Sequence, residues 1–404
     1  MKKLLQINSV VNSGSTGRIA EEIGQTAIAA GWESYIAYGR NNRPSQSKLI
    51  KIGSDWDIRR HGFETRLFDN HGLASKAATR EFVQQVKKIK PDIIHLHNIH
   101  GYYMNIEILF QYLKDANVPV IWTFHDCWPI TGHCSHFSYA ECEKWKTKCF
   151  ACPQKNDYPT SWIIDRSKKN FLLKRNLFTS LPNLILVPVS KWLAEILAES
   201  FLKDYPVKVI NNGINTEIFT PSTYSEFRVK NRLVNKFVVL GVASVWSPRK
   251  GLRDFIALSK LLTSDYQIVL IGLSKKHVKQ LPNNILGVER TENIEALVEI
   301  YSSADVVMNI SYEETFGMTT VEGYACGTPG IVYNTTASPE LVDDSTGLKV
   351  EPGDIEGLLK AIKQIKEKGK QFYSEACLNR ARLFYRKEDR YREYIDLYED
   401  LQRV

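Results

Sequence analysis

Two glutamates, Glu314 and Glu322, stand eight positions apart in the sequence, and the Phe316-Gly317 pair lies between them. This pattern predicts that a helix begins at the Phe-Gly pair. The first turn of a helix offers free backbone N–H groups and a partial positive charge, which together suit a diphosphate. Carboxylates do not bind phosphate, so we expect them to accept hydrogen bonds from neutral hydroxyls. An anion site bordered by hydroxyl acceptors is typical of a protein that binds a sugar nucleotide.

A pair of adjacent cations, Arg249 and Lys250, lies in a loop bounded by Pro248 and Gly251. The loop follows the strand-like run Phe237–Val242, so it is expected at the carboxyl end of a strand. Two cations at such a position suit a diphosphate. The alternative is an ordinary solvated loop.

Histidines follow two further apolar runs. His125 comes directly after Val120–Phe124, while His97 and Asn98 come after Ile93–Leu96. In an open parallel sheet, ligands bind beyond the carboxyl ends of the strands, so these side chains are candidates for ligand contacts. Packing in the core is the alternative, especially for His97.

Gly14 and Gly17 lie between the first strand-like run, Leu4–Val11, and an amphipathic helix that begins near Ile19. Glycines at a strand-to-helix turn let the backbone approach a ligand closely. Their spacing is not G-x-G-x-x-G, and no acidic residue ends the second strand, which disfavours a dinucleotide site. A loop that faces a ligand is favoured over a simple tight turn.

Five of the seven cysteines fall between residues 127 and 152, in a segment with little apolar content. An enzyme of the cytoplasm would not keep disulfides there. Four thiolates could instead close a structural zinc site, with His133 and His136 as alternate ligands, and reduced cysteines without a metal are the other interpretation. The four predicted ligands are Cys134, Cys142, Cys149 and Cys152.

The net charge of +8 is unevenly distributed, because residues 1–220 hold 28 Lys and Arg against 20 Asp and Glu. A solvated surface is one interpretation. The other is attraction to an anionic membrane or a phosphorylated lipid acceptor. No motif for nucleic-acid recognition accompanies the charge, so nucleic acid is not an expected partner. The candidate membrane patch consists of Lys168, Lys169, Lys174 and Arg175, interleaved with Phe171, Leu172 and Leu173.

The length of 404 residues predicts two domains, and 43% hydrophobic with 24% charged residues is typical of a soluble globular protein. No apolar stretch approaches the roughly 20 residues of a membrane span, so a cytoplasmic location is expected. Apolar runs alternate with helical periodicity, which predicts α/β domains with parallel sheets. The remaining strand-like runs are 35–38, 184–189, 268–271, 306–310 and 330–333.

We place an N-terminal domain at residues 1–212, a linker at 213–236, a second domain at 237–380 and a C-terminal helix at 381–404. That helix carries an aromatic stripe that is expected to dock on a domain. Two Rossmann-like domains facing one another would hold a ligand in the cleft between them. The stripe consists of Phe384, Tyr391, Tyr394, Ile395, Tyr398 and Leu401.

Together these motifs resemble the family 4 retaining glycosyltransferases of the GT-B fold, over nearly the whole chain. The E-x7-E segment is the most specific match. The likeness implies two Rossmann-like domains across a cleft, with the C-terminal helix crossing back to the N-terminal domain. The supporting matches are Cys326–Pro329, Ser303–Asp305, Asn212–Asn215 with Phe219, Arg249–Gly251 and Thr123–Asp126.

The resemblance implies a role for each candidate residue. Lys250 and Arg249 would neutralise the donor diphosphate, Glu314 would hold hydroxyls of the transferred sugar, and Glu322 would accept from the ribose. The family pattern carries an arginine where this chain has Val245. His125 would contact the sugar, and the backbone of Thr315, Phe316, Gly317 and Met318 would bind phosphate and sugar. Val288 and Arg290 would lie beside the base, and Gly14 and Gly17 would contact the donor. The acceptor would be contacted by His97, Asn98 and Tyr102.

The resemblance implies a retaining hexosyltransferase that needs no catalytic metal. The expected donor is a nucleotide sugar, UDP-linked rather than GDP-linked. The expected acceptor is a glycan or a lipid-linked oligosaccharide from the synthesis of a bacterial capsule or of an exopolysaccharide of the colanic-acid type. The protein would reach this acceptor at the inner face of the cell membrane. The alternatives are a nucleotide-sugar epimerase or hydrolase of the same architecture, and a non-catalytic nucleotide-sugar-binding scaffold.

Overall fold

A computed structural model describes residues 1–222 and 225–403, so Thr223 and Tyr224 of the predicted linker and Val404 of the predicted C-terminal helix lie outside the described residues. The chain divides into two compact units. One comprises Met1–Asn211 with Glu388–Val404, and the other comprises Asn212–Lys387. The predicted linker is part of the second unit, where it contributes a short helix, α7 (Glu226–Lys230).

The described part of the first unit contains a six-stranded sheet in which every neighbouring pair is parallel, in the order β3-β2-β1-β4-β5-β6. Its central strands are buried at nearly every position, as expected for a parallel sheet covered on both faces. The strands are β1 (Lys3–Asn8), β2 (Glu33–Tyr38), β3 (Lys48–Lys51), β4 (Ile93–Leu96), β5 (Val120–Phe124) and β6 (Leu184–Pro188). The helices are α1 (Gly14–Ala29), α2 (Asp55–Phe68), α3 (Lys76–Ile89), α4 (Ile106–Ala116), α5 (Ser167–Phe178) and α6 (Lys191–Ala198).

The described part of the second unit repeats this architecture, with a parallel sheet in the order β12-β11-β10-β7-β8-β9. The two sheets confirm the predicted α/β class. The strands are β7 (Phe237–Val242), β8 (Tyr266–Ile271), β9 (Ile285–Val288), β10 (Val306–Asn309), β11 (Gly330–Tyr333) and β12 (Gly347–Val350). The helices after α7 are α8 (Leu252–Ser259), α9 (Lys275–Gln280), α10 (Ile294–Ser303), α11 (Met318–Ala325), α12 (Ile355–Lys368) and α13 (Lys370–Tyr385).

Each sheet has one point where the strand order reverses. In the first unit this point lies between β1 and β4, and in the second it lies between β7 and β10. The loops that leave the carboxyl ends of these strands diverge and open a crevice, which is where ligands bind in such sheets. The topology therefore selects the loops after β1, β4, β7 and β10 as candidate ligand loops.

The C-terminal helix α14 (Lys387–Leu401) packs on the sheet of the first unit, as predicted. The hydroxyl of Tyr398 is hydrogen-bonded to His95 at 2.7 Å, and Thr123 donates to the Tyr394 hydroxyl at 3.1 Å. The predicted stripe is wrong at Phe384, which lies in α13 and is exposed, because extended backbone at Arg386 separates the two helices. The buried members of the stripe join Leu4, Ile93 and Ile121 in one core.

In the part of the chain that the structure describes, no helix is long and apolar enough to cross a membrane.

Candidate functional site

Three loops of the second unit meet at one edge of its sheet, because β10 lies between β7 and β11. The loop after β10 is tied to both neighbours. The backbone N–H of Tyr312 donates to the carbonyl of Arg249 at 2.9 Å, and that of Glu314 donates to the Thr336 hydroxyl at 3.0 Å. This arrangement brings the predicted cations and the first predicted glutamate together, although 64 positions separate Lys250 from Glu314.

Lys250 and Glu314 form an ion pair between Nζ and Oε1, and the Ser311 hydroxyl donates to the same carboxylate oxygen at 2.9 Å. Their side chains are 22% and 16% exposed, so the pair is reachable from solvent without being freely hydrated. Burial raises the pKa of Glu314, but Lys250, Arg249 and Ser311 together bring it below its ordinary value. The carboxylate is therefore ionised at neutral pH.

Arg249 is held by its own loop, because its guanidinium donates to the carbonyl of Glu313 at 2.7 Å. The turn ends at Gly251, whose φ is +74°, and a Cβ there would lie 2.4 Å from the carbonyl oxygen of Ile310. Only glycine fits this position. Val245, which stands where the family pattern has an arginine, is exposed, so Arg249 and Lys250 supply the cations of this loop.

Helix α11 begins directly after Gly317, which confirms the predicted helix start. Gly317 has a φ of +102°, and a Cβ there would lie 3.0 Å from Leu341. Phe316 is buried with its ring 5.7 Å from that of Tyr385, which fixes the entry to the helix, and Thr315 and Met318 flank the turn and are half-buried. The first-turn N–H groups provide the positive end of the helix dipole.

Glu322 lies in the interior of α11 and is 5% exposed. The hydroxyl of Tyr301, in α10, donates to its Oε2 at 2.7 Å.

The predicted base contacts lie at the end of β9, two strands away from β7. Val288 is the last residue of β9, and its carbonyl accepts from the N–H of Gly272 at 2.9 Å. Arg290, just beyond, is exposed. These contacts thus follow β9, whereas Lys250 follows β7 and Glu314 follows β10.

In the first unit, His97 after β4 and His125 after β5 lie side by side. Nδ1 of His97 is 3.2 Å from Nε2 of His125, and the rings are stacked with an interplanar angle of 18°. The other nitrogen of His97 is 3.0 Å from the amide oxygen of Gln6. Burial lowers the pKa of both rings, that of His125 to about 4, so both histidines are neutral at physiological pH.

Asp126, part of the Thr123–Asp126 motif, lies in a second histidine cluster, whose members His100 and Tyr158 were not predicted. His100 is 2.9 Å from the carboxylate of Asp126 and 3.0 Å from the Tyr158 hydroxyl. Burial raises the pKa of Asp126, but His100 and the N–H of Trp128 lower it to about 2. The adjacency of Asp126 to His125 was the one available signal, and nothing in the spacing pointed to Tyr158.

Asn98 and Tyr102, two of the predicted acceptor residues, are each fixed by a contact with another part of the first unit. The N–H of Asn98 donates to the Asn8 side chain at 3.3 Å, which links the loops after β1 and β4. Tyr102 has a φ of +71° and lies under the guanidinium of Arg66, 5.8 Å from the ring centroid.

The predicted glycine contacts lie at the start of α1. Gly14 begins the helix with a φ of +63°, and a Cβ there would meet nothing within 4 Å. Gly17 faces Val10, and a Cβ on Gly17 would lie 3.0 Å from the Val10 side chain. Close packing of the β1–α1 loop against the helix therefore accounts for Gly17, whereas a Cβ at Gly14 would meet no neighbour.

All described cysteines are free thiols. Cys134 and Cys152 are hydrogen-bonded to each other, and the N–H of Gly132 donates to the sulfur of Cys149 at 3.2 Å. The four predicted zinc ligands line one cavity of about 10 Å³ together with His133. In their present positions, however, no three His, Cys, Asp or Glu side chains of the described residues could hold a metal ion. Zinc stays a prediction.

The predicted membrane patch at residues 168–175 is wrong in its centre. Lys174 is buried, donates to the carbonyls of Trp128 and Thr131 at 2.7 and 3.1 Å, and lies 3.4 Å from the Trp128 ring centroid. Burial lowers its pKa to about 7. Phe171 is buried as well, so this helix turns Phe171 and one lysine of the predicted patch inward, while Leu172 and Leu173 are half-buried.

The depressed pKa of His125 predicts a loss of stability in acid. The unfolded chain takes up a proton near pH 6.5 and the folded chain only near pH 4, so acidification across this window favours unfolding. The contribution is about 1.4 kcal/mol per pH unit. Urea unfolding between pH 7.5 and 4.5 should therefore show a shallower decline for His125→Asn than for the unmodified chain. Parallel declines would contradict this assignment.

Comparison with known families gives two matches. Residues 16–218 match the family described as Glycosyltransferase Family 4, which is half of the chain. Residues 236–368 match the family described as Glycosyl transferases group 1. The second match contains the Lys250–Glu314 pair and the start of α11.

Among curated proteins, the chain is 22% identical to the "Putative colanic acid biosynthesis glycosyl transferase WcaC" of Escherichia coli K12, over 98% of this chain and 100% of that protein. Among solved structures, it is similar to the sucrose-phosphate synthase of Thermosynechococcus elongatus, with a TM-score of 0.74 and 18% identity over 99% of both chains. Anabaena Alr3699/HepE in complex with UDP-glucose has a TM-score of 0.69 and 15% identity, over 99% of this chain and 100% of that one. These similarities confirm the GT-B fold.

Proposed function

The chain belongs to glycosyltransferase family 4, and from that premise we propose that it moves a hexose from a UDP-linked donor to a glycan or lipid-linked acceptor with retention of configuration. The observation that carries the proposal is the Lys250–Glu314 pair, which lies beside the turn that opens α11. Lys250 supplies a fixed positive charge for a diphosphate, and the ionised carboxylate of Glu314 can accept hydrogen bonds from sugar hydroxyls. The UDP-glucose complex of a protein with the same fold supports the choice of donor.

The proposed chemistry is charge stabilisation of the leaving group. As the bond between the anomeric carbon and the diphosphate oxygen breaks, negative charge grows on the nucleotide diphosphate. Lys250, Arg249 and the first-turn N–H groups after Gly317 would stabilise that charge. The departing phosphate oxygen would take the proton of the acceptor hydroxyl, which attacks from the same face. No protein nucleophile and no catalytic metal are needed for this sequence of bond changes.

The carboxylates and histidines would then serve as positioning groups. Glu314, ionised at neutral pH, would accept from hydroxyls of the transferred hexose, and Glu322 would accept from the ribose. His125, neutral at physiological pH, would contact a hydroxyl of the sugar, although its Nε2 already faces His97 at 3.2 Å. Acceptor contacts would come from Asn98 and Tyr102. His97 would instead support His125 from the core, because it is 1% exposed and its two ring nitrogens face His125 and Gln6.

We assign the acceptor to bacterial surface polysaccharide synthesis, supported by the end-to-end similarity to a protein named for colanic acid biosynthesis. A panel of UDP-, GDP- and ADP-hexoses in a thermal unfolding assay tests the donor. A ligand at 100 times its Kd adds about 2.7 kcal/mol of stability. Stabilisation by a UDP-hexose is expected, and stabilisation by GDP-hexoses alone would overturn the donor assignment.

A structural zinc ion in the cysteine segment completes the proposal. Four thiols and one histidine line a single small cavity, and these side chains are a suitable set of ligands for zinc. The ion would have to draw the side chains inward from their present positions. Metal analysis of the purified protein should find about one zinc per chain. The double variant Cys149→Ser/Cys152→Ser should lose it, whereas Cys326→Ser, outside the cavity, should keep it. Less than about a tenth of an equivalent in the unmodified protein would rule zinc out.

A further inference from the structure

A buried glutamine connects the first strand of the sheet to the stacked histidines of the first unit. Gln6 lies in β1 and is fully buried. Its side-chain Nε2 donates to the carbonyl of Ala20, in α1, at 2.8 Å, and its Oε1 is 3.0 Å from Nε2 of His97. A carbonyl oxygen can only accept, so the contact with Ala20 fixes which end of the amide is the NH2 group. The end that faces His97 is therefore the oxygen.

This orientation determines where His97 carries its proton. The amide oxygen of Gln6 is an acceptor, so Nε2 of His97 must be the N–H that donates to it. Burial lowers the pKa of His97, so the ring is neutral and has a single N–H. Its Nδ1 then holds a lone pair and is 3.2 Å from Nε2 of His125. Because an acceptor in hydrogen-bond contact needs a donor, Nε2 of His125 carries the proton.

The neighbouring His95 has partners of its own. Its ring centroid is 4.0 Å from that of His97, but its two nitrogens face the Tyr398 hydroxyl at 2.7 Å and the Thr123 hydroxyl at 2.8 Å. The backbone of His97 is fixed as well, since its carbonyl accepts from the indole N–H of Trp122 at 3.1 Å. The ring of His97 is therefore held in place, and His95 belongs to a separate set of hydrogen bonds.

We infer that Gln6 is a positioning residue, which acts through His97 and holds His125 as the neutral ring with its proton on Nε2. The inference rests on the proposed function at one point, the contact between His125 and the transferred hexose. With the proton on Nε2, Nδ1 of His125 is an acceptor, so a sugar hydroxyl that meets this nitrogen would donate to it. A proton on Nδ1 would instead present a donor to the same hydroxyl.

Nitrogen NMR of the full chain, labelled at histidine and measured near neutral pH without any ligand, tests the tautomer directly. The signals of His125 are those that disappear in His125→Asn. In the unmodified protein, Nε2 of His125 should have the chemical shift of a protonated ring nitrogen, and Nδ1 that of an unprotonated one. The opposite pattern, or a doubly protonated ring, would overturn the inference.

Gln6→Met tests the role of the glutamine, because it keeps the length of the side chain and removes the amide oxygen. His97 could then carry its proton on either nitrogen, so His125 should become a mixture of both tautomers. The matched control Gln25→Met makes the same change on α1, where the amide donates to Glu21, and should leave the His125 signals unchanged. Gln6→Leu is the second variant should Gln6→Met not fold. A single, unchanged tautomer in the folded Gln6 variant would overturn the inference.

Ligand binding separates this positioning role from a general effect on structure. Isothermal titration calorimetry would compare the UDP-hexose that stabilises the protein with UDP alone. Gln6→Met should weaken binding of the UDP-hexose by about three- to tenfold, the range for one hydrogen bond between uncharged groups. It should leave the binding of UDP unchanged, because UDP lacks the hexose, and Gln25→Met should bind both ligands as the unmodified protein does.

Equal weakening of UDP and UDP-hexose by Gln6→Met would show a merely structural role and would contradict the inference. If the unmodified protein binds no UDP-hexose at all, the proposed function fails, whereas the tautomer of His125, measured without ligand, still decides whether Gln6 acts through His97. The two failures are therefore distinguishable.

Discussion

Replacing Lys250 by alanine is expected to lower kcat for hexose transfer by about 10²- to 10³-fold, the range for loss of one group that stabilises developing charge. Lys250 is the cation that pairs with Glu314 beside the turn opening α11. Without it, the growing charge on the leaving diphosphate would be met only by Arg249 and the helix terminus. Steady-state kinetics with the UDP-hexose that stabilises the protein would measure the change.

Lys260→Ala is the matched control, because Lys260 lies exposed at the end of the helix that follows the same loop. It should leave kcat unchanged. A Lys250→Ala variant that is folded and turns over within about threefold of the unmodified enzyme would contradict the role of Lys250, since charge stabilisation of even 1.4 kcal/mol amounts to tenfold.

Glu314→Gln is expected to lower kcat/KM by about 10- to 100-fold, because a hydrogen bond to a charged group contributes about 1.5–3 kcal/mol. The amide keeps the shape of the side chain and can still accept from Ser311, but it removes the charge that pairs with Lys250. Its NH2 group would also lie near the ammonium as a second donor. Kinetics and urea unfolding of the same preparation would separate the loss of activity from any loss of stability.

Glu367→Gln serves as the control, since Glu367 is exposed on α12. Combining Lys250→Ala with Glu314→Gln adds a further check. Residues in direct contact are expected to show coupled effects, so the double variant should be less impaired than the product of the two single losses. Strict multiplication of the two effects would show that the residues act independently.

The sequence predicted the central strands better than the edges of the sheets. The runs at β1, β4, β5, β7, β8, β10 and β11 are apolar because both faces of these strands are covered. The edge strands β3, β9 and β12 were missed. β3 reads Lys-Leu-Ile-Lys with one buried residue, so its composition resembles that of a loop. At an edge, backbone pairing with the neighbouring strand decides the structure, and residue type does not reveal that pairing.

For the candidate site, too, the sequence predicts which residues take part better than it predicts how they meet. Motif spacing selected Glu314 and Lys250, but their contact depends on β10 lying beside β7, which is a property of sheet order. Lys174 shows the opposite case. Its charge suggested a surface position, yet two backbone carbonyls and the Trp128 ring accept the ammonium inside the fold. Neither carbonyl can be recognised from residue type.

Transfer itself is the most direct measurement. The protein would be incubated with the stabilising α-linked UDP-hexose and a membrane extract containing lipid-linked glycans, and the anomeric configuration of the product would be followed by NMR. A new glycosidic bond with the α configuration, formed about 10²- to 10³-fold more slowly by Lys250→Ala, is the predicted result. A β-linked product would contradict retention, and release of free hexose or its epimer without transfer, at the same rate with and without the extract, would contradict a transferase.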